Sequence, residues 1–517
     1  MTSRSLFVGF ASLIAVASHS QIGLAETAKG RVYHDENRNL RFDDGEELLS
    51  GIGVSNGEQI VETDEQGAYT IEVTDDTIVF VIKPSGWRTP INRQRLPEFY
   101  YNHKPAGSPT TKFPGVAPTG PLPASIDFPL YPQKEPAEFK AIMFGDPQPR
   151  NQKEVDYVAH DVVAELIGSD ASFGVTLGDI MFDDLSLFDS ENAAIALIGI
   201  PWYNVIGNHD INREAKEDRH SDETFERIFG PAYYSFDYGQ VHFIVLDDVD
   251  WKVQADGKNS YTGGLNKRQL NFVRNDLARV PEEKLVVLMM HIPLVNVGDR
   301  QELYRLIEKR PFTMSISGHT HTHEHRFITD KDGWRGAKPH HHVINVTVCG
   351  SWWGGKPDEK GIPHAMTSDG VPNGYSIISF DGSKYRLDFK AARRSADFQM
   401  NIFLPNSIAA ADTASSEFVA NVFNATPKAK VEFQVDDGEW MPMKNDARVD
   451  PLLAKIVAEE ASVEKKNWIN LATPKVTNHI WVATLPEIKP GTVRIRVKAT
   501  EPDGTVLQGD QILRISP

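Results

Sequence analysis

The chain has 517 residues, 40% of them hydrophobic, with 54 Lys and Arg against 71 Asp and Glu and a formal charge of −17. Its length exceeds one ordinary domain, and its apolar fraction supports real cores, which excludes a wholly disordered chain. The acidic balance repels nucleic acid at long range and speaks against duplex binding, whereas a small phosphorylated substrate stays open because bound cations reverse the local sign inside a cleft.

Residues 1–25 differ from the rest. Arg4 supplies positive charge, residues 6–17 are almost wholly apolar, and Gly23-Leu24-Ala25 sets small residues before a cut at Glu26. This pattern predicts a secretory signal peptide and hence a periplasmic or secreted protein. The apolar run falls short of the ~20 residues of a bilayer span, so no transmembrane segment is expected after its removal. Cys349 is the single cysteine, and no intrachain disulfide can form.

Residues 26–103 read as short alternating strands at 30–33, 53–55, 59–62, 68–73 and 77–82, separated by Gly, Asp and Asn turns. That spacing predicts a small β-sandwich. Within it, Asp35, Asn37, Asn39, Asp43 and Glu46 hold positions 1, 3, 5, 9 and 12 of a twelve-residue loop, the spacing with which hard oxygen donors surround Ca²⁺. Leu40 stands where such a loop wants Gly, and an acidic turn without an ion is the competing reading. Through Gly30-Arg31-Val32-Tyr33 and Thr63-Asp64-x-x-Gly67-x-Tyr69 the module resembles the carboxypeptidase-regulatory-like and adhesin B-repeat sandwiches. Residues 104–136 are Pro-rich and predict a linker or a surface-laid extended arm.

From 137 to 394 apolar runs alternate with amphipathic stretches, the signature of an α/β domain, with a crossover helix expected over 155–168. Five runs end in polar clusters: Gly145-Asp146-Pro147-Gln148, Gly178-Asp179, Gly207-Asn208-His209-Asp210, His291-Ile292-Pro293 and Gly318-His319-Thr320-His321. Each alone is more often a turn than a ligand. Beyond the carboxyl ends of strands, however, all five can converge in one crevice. Together they supply carboxylate, amide and imidazole donors suited to divalent cations.

In this order the clusters resemble the calcineurin-like metallophosphoesterases, whose pattern is Asp-x-His, Gly-Asp, Gly-Asn-His-Asp/Glu, His and Gly-His-x-His. The resemblance implies a central αββα sandwich flanked by two β-sandwich modules, and two divalent metal ions (Mn, Zn or Fe). It places Asp146, Gln148, Asp179 and His321 on one ion, with Asp179 bridging to a second held by Asn208, His291 and His319. It implies in-line attack on a phosphomonoester or phosphodiester by a hydroxide bridging the two ions. His209 would be an unliganded proton donor, and Asp210 would orient it. Gln148 replaces the usual His with an amide oxygen and favours Mn²⁺. Phe182 stands where the purple acid phosphatase branch carries a ligating Tyr, so the chain should not be purple.

Other clusters are weaker. His323 and His325 read as solvated strand positions, and His340, His341 and His342 as a surface run. Trp352 and Trp353 stand in a Gly-rich loop suited to stacking or to packing. Residues 364–375 are a candidate substrate wall, and 261–265 a structural lead into a helix at 266–277. Residues 395–517 read as a second β-sandwich with strands at 416–424, 429–435, 479–484 and 492–500 and a helical insert near 451–464. The rival to an exported phosphoesterase is an exported binding protein with a vestigial metal core whose β-modules dock a partner. Substrate, metal identity and oligomeric state stay open.

Overall fold

The runs that read as buried strands form two facing sheets in a computed structural model that describes residues 26–254 and 256–517; the predicted signal peptide lies outside them. The first sheet orders Trp202–Val205, Phe173–Leu177, Glu138–Phe144, Gly374–Asp381 and Lys384–Ala391, with the first three strands parallel. The second orders Tyr234–Tyr238, Val241–Val245, Leu285–Met289, Thr313–Ser317, His340–Ile344 and Glu324–Ile328. Phe139, Ala141 and Met143 point between the sheets, whereas Ile142 and Phe144 point at the helix beyond, so period-two alternation is buried on both faces. Helices cover the outer faces, which completes the αββα sandwich. The crossover helix spans 152–166, longer at its start than expected because the Asn151 side chain caps Glu154 N, and it contains a π-helical turn at Ala159–Val163.

Two four-stranded sheets build the N-terminal module, and its apolar core runs into that of the central domain: Phe80 meets Phe272 at 5.7 Å and Phe99 meets Tyr234 at 5.0 Å between ring centroids. The Pro-rich segment is not merely an arm. Phe128–Pro132 forms a strand between Glu26–His34 and Trp87–Arg88. It pairs with the first through 128–130 and with the second through 131–132, so the missing proline donors do not break one continuous ladder.

In loop 35–46, the Asp35 carboxylate accepts from Asn39 N and Leu40 N, both at 3.0 Å, and Glu46 accepts from Glu36 N and Asp43 N. Leu40 takes a left-handed φ of 63°, the conformation for which Gly is wanted there.

Two further sheets make the C-terminal module around Phe418, Phe433, Trp481 and Ile495. Strand Val506–Ser516, unanticipated, pairs along the whole of Gly491–Thr500. The insert is helix Pro451–Ala461, capped by Asp450, with Leu453 packed on Met366 and Leu471. Among the described residues no helix is long and apolar enough to cross a membrane.

Candidate metal centre

Strands of both sheets end at one rim, and the loops that leave them turn sharply. Asp146, Gln148, Asp179, His319 and His321 all have left-handed φ between 37° and 75°. Such backbone costs about 1–2 kcal/mol per non-glycine residue and is retained where the surroundings overdetermine it. The neighbouring glycines are fixed by crowding. A Cβ on Gly207 would lie 2.0 Å from Asp179 N, and one on Gly318 2.3 Å from Asp146 Oδ2.

The structure brings all seven anticipated donors together. Ligand atoms of Asp179, His291 and His319 lie within 4.8 Å of one another. His291 Nε2 is 3.3 Å from Asp179 Oδ1, 3.1 Å from Asn208 Oδ1 and 3.1 Å from His319 Nδ1. His321 Nε2 is 3.7 Å from Asp146 Oδ1. Gln148 directs Nε2 at Asp179 Oδ2, 2.9 Å away, so its Oε1 becomes a ligand only after the terminal amide turns over.

The donor set fits divalent cations on a specific observation. His291 Nδ1 faces Leu177 O at 2.9 Å and His321 Nδ1 faces Gly350 O at 2.7 Å, which assigns the proton of each neutral ring to Nδ1. Their Nε2 atoms then face carboxylate oxygens, and each such pair requires a positive charge between nitrogen and oxygen, which a metal ion supplies at His321 and either a metal ion or a proton supplies at His291. Titration is equally perturbed. Burial raises the Asp146 carboxyl to about 7. Burial alone would lower His291, but Asp179 overrides it and pushes the ring up to about 10. Burial also takes His319 down to about 3 and His321 to about 4.

His209 sits beside this cluster with its backbone N donating to Asp179 Oδ1 at 2.9 Å. Its ring stacks on Phe182 with centroids 4.5 Å apart. Contrary to expectation, Asp210 does not orient the imidazole; it is fully buried and accepts from Gly207 N, Ile180 N and Met181 N, tying two loops together. Asp183 takes that place: its Oδ1 holds His209 Nδ1 at 2.7 Å, and Arg213 pairs with the same oxygen at 2.7 Å. Burial works against protonation of His209, but Asp179 and Asp183 outweigh it and raise its pKa.

Sequence reasoning missed Asp183, Arg213 and Asp248, the last of which accepts from His291 N and Ile292 N and sets the path of that loop. The Asp183-Asp184 pair was visible close after Asp179, but nothing local marked it as a partner of His209.

The other histidines are not solvated. His323 and His325 are buried, and both reach Asn424 Oδ1 of the C-terminal module, at 3.0 and 2.8 Å. His325 continues to His341 at 2.9 Å and His341 to Tyr385 OH at 2.7 Å. His340 and His342 are likewise buried, bonded to Ser315 between two strands. At His323 and His325, docking of the C-terminal module covers the face that alternation alone leaves to water.

Residues 364–375 brace rather than wall the site: Ser368 donates to His321 O, and Asp369 accepts from His323 N. Trp353 is buried, while Trp352 is 39% exposed with its ring 4.6 Å from that of His321. Tyr261, expected to be structural, lies edge-on to His319 at 6.1 Å and lines the rim.

Three family models match the chain: Calcineurin-like phosphoesterase over residues 141–323, N terminal of Calcineurin-like phosphoesterase over 37–115, and C terminal of Calcineurin-like phosphoesterase over 342–506. No curated protein matches. Among solved structures, a purple acid phosphatase from yellow lupin (Lupinus luteus) seeds is 14% identical, with 71% of this chain and 67% of that chain covered at a TM-score of 0.37. A glycosyl hydrolase family 2 member from Bacteroides cellulosilyticus is 7% identical, with 94% and 73% covered at a TM-score of 0.18. Overlaps this low carry no weight for this chain, and the family rests on the three matched segments in their order. With its catalytic segment and both flanking segments matched, the chain belongs to the calcineurin-like phosphoesterases.

Proposed function

We propose that the chain hydrolyses phosphate esters, monoester or diester, with two divalent cations. The enclosed imidazoles of His291 and His321, set against the carboxylates of Asp179 and Asp146, carry this reading. Asp146, Gln148, Asp179 and His321 would hold one cation, and Asp179, Asn208, His291 and His319 the other. When bound, the ions polarise phosphoryl oxygens and lower the pKa of a water that serves as nucleophile. Gln148, once its amide turns, adds a hard oxygen and favours Mn²⁺.

The chain's own groups do the rest. Asp183 keeps His209 oriented and protonated, so that its free Nε2–H donates to the phosphoryl or leaving oxygen. Arg213, half-exposed beside it, adds positive charge at the mouth for an anionic ester. Phe182 fills the position of a ligating tyrosinate and instead fixes the plane of the His209 ring.

The test is hydrolysis of aryl phosphomonoester and bis-aryl phosphodiester substrates as Mn²⁺, Zn²⁺, Mg²⁺ or Ca²⁺ is restored to stripped protein. Metal-dependent turnover abolished by Asp179→Asn is expected, and the preferred ester names the substrate class. A protein that takes up no metal and turns over neither ester sinks the proposal and favours the binding-protein reading.

Loop 35–46 is part of the same proposal as a structural Ca²⁺ site, because Asp35 and Glu46 already close it as such loops close. A melting midpoint that does not respond to Ca²⁺ removes that part. Export rests on residues 1–25, and recovered extracytoplasmic protein beginning at Glu26 tests it.

A further inference from the structure

One corner of the N-terminal module gathers three metal-binding side chains far along the chain from the centre above. Glu26 opens strand Glu26–His34 and pairs with Val73 at the end of Ala68–Val73. The next turn carries Asp75 and leads to Thr77, which pairs with His103 at the end of Tyr100–His103. The register thus brings Glu26, Asp75 and His103 to one place, and a ligand atom of each lies within 4.8 Å of the others.

His103 is 0% exposed, yet neither ring nitrogen has a hydrogen-bond partner. A neutral imidazole carries one N–H and one lone pair, and a buried polar group left unsatisfied forfeits the hydration it had in the unfolded chain. Asp76, His220 and Glu223 gather as closely next to it, but their charge is already answered. Lys104 Nζ sits among these acids, 2.8 Å from Asp76, 2.5 Å from Glu223 and 2.7 Å from Glu226. Lys104 thus answers Asp76, whereas no lysine or arginine is paired with Asp75 or His103 among the described residues.

We infer that Glu26, Asp75 and His103 form a second, independent binding site for a first-row divalent cation, with zinc the best fit. One imidazole and two carboxylates are donors that zinc accepts, and the two exposed carboxylates leave room for water to complete the shell. Burial keeps the His103 imidazole below its ordinary pKa against the pull of Glu26 and Asp75, so the ring is in its neutral, ligating form. A cation here ties the start of the first strand to a turn and to the end of another strand.

The test counts metal in full-length protein that is stripped, loaded with Zn²⁺ and freed of excess. His103→Asn and Asp75→Asn are each expected to retain one zinc equivalent fewer than the parent. Asp75 is exposed, so its variant decides the matter even where His103→Asn fails to fold. The same deficit is expected when Asp75→Asn is made in an Asp179→Asn background, which separates this site from the proposed catalytic centre. Equal zinc content with and without Asp75→Asn overturns the assignment.

Discussion

His242 provides a measurable limit on the stability of the second sheet. Its Nδ1 lies 2.8 Å from Asp237 Oδ1 and its Nε2 2.8 Å from Asp276 Oδ2, with the ring fully enclosed. Burial alone would lower its pKa, but the two carboxylates win and push it up to about 9. Unfolded, the ring returns to about 6.5, and each tenfold gain in proton affinity is worth ~1.36 kcal/mol, so the folded state gains ~3 kcal/mol from this proton. Because the folded value is the higher one, that stability is complete below about pH 6.5 and is lost as pH rises through about 9. Urea unfolding midpoints of metal-loaded protein, taken between about pH 6 and pH 10 with slopes checked for constancy, measure the loss. His242→Asn destabilises at neutral pH by leaving the buried Asp276 carboxylate facing an amide, while Asp237 keeps Lys284, and its midpoint should be nearly flat over that window. Parallel decline of parent and variant would refute the assignment to His242.

Four further outcomes follow from the centre and from the loop at Asp35. His209→Ala should cut turnover by ~10²–10⁴ while leaving bound metal intact, as for loss of a general acid. Asp183→Asn should cost less and move the alkaline limb of the pH–rate profile to lower pH, because it removes one of the two charges that raise His209; an unmoved limb contradicts the role of Asp183. Gly207→Ala places a methyl 2.0 Å from Asp179 N, and the forced shift should cost about 1–3 kcal/mol in melting experiments and ~10²-fold in turnover. Leu40→Gly removes a left-handed penalty of about 1–2 kcal/mol and restores about half of it as chain entropy, so the melting midpoint should rise; a fall would show that Leu40 is not strained.

Much of the centre was legible because each ligand cluster is short and sits where a buried run ends, a juxtaposition that chain order preserves. Asp146, Asp179, Asn208, His291 and His319 needed only that their strands lie side by side. What was not legible depends on which way a side chain turns after the loop bends. Asp210 follows His209 directly yet faces the backbone of another loop, whereas Asp183, in a different loop, reaches the ring. Alternation at His323 and His325 reads as a face toward water, and only the docking of Asn424 removes that water. Pro129 and Pro132 argued against a strand because the pairing partners on either side, which spare their missing donors, lie far away in sequence.

The enclosed histidines give the molecule an acid-sensitive seam opposite to its alkaline limit at His242. Burial drives His325, His340, His341 and His342 below their ordinary pKa, to about 3 for His340, so the fold holds them without protons. The unfolded chain takes up those protons below about pH 6.5, and four such groups steepen the loss of stability to on the order of 5 kcal/mol per pH unit. His325 and His341 lie along the joint with the C-terminal module, so acid should part that module from the phosphoesterase core while neutral pH keeps them joined.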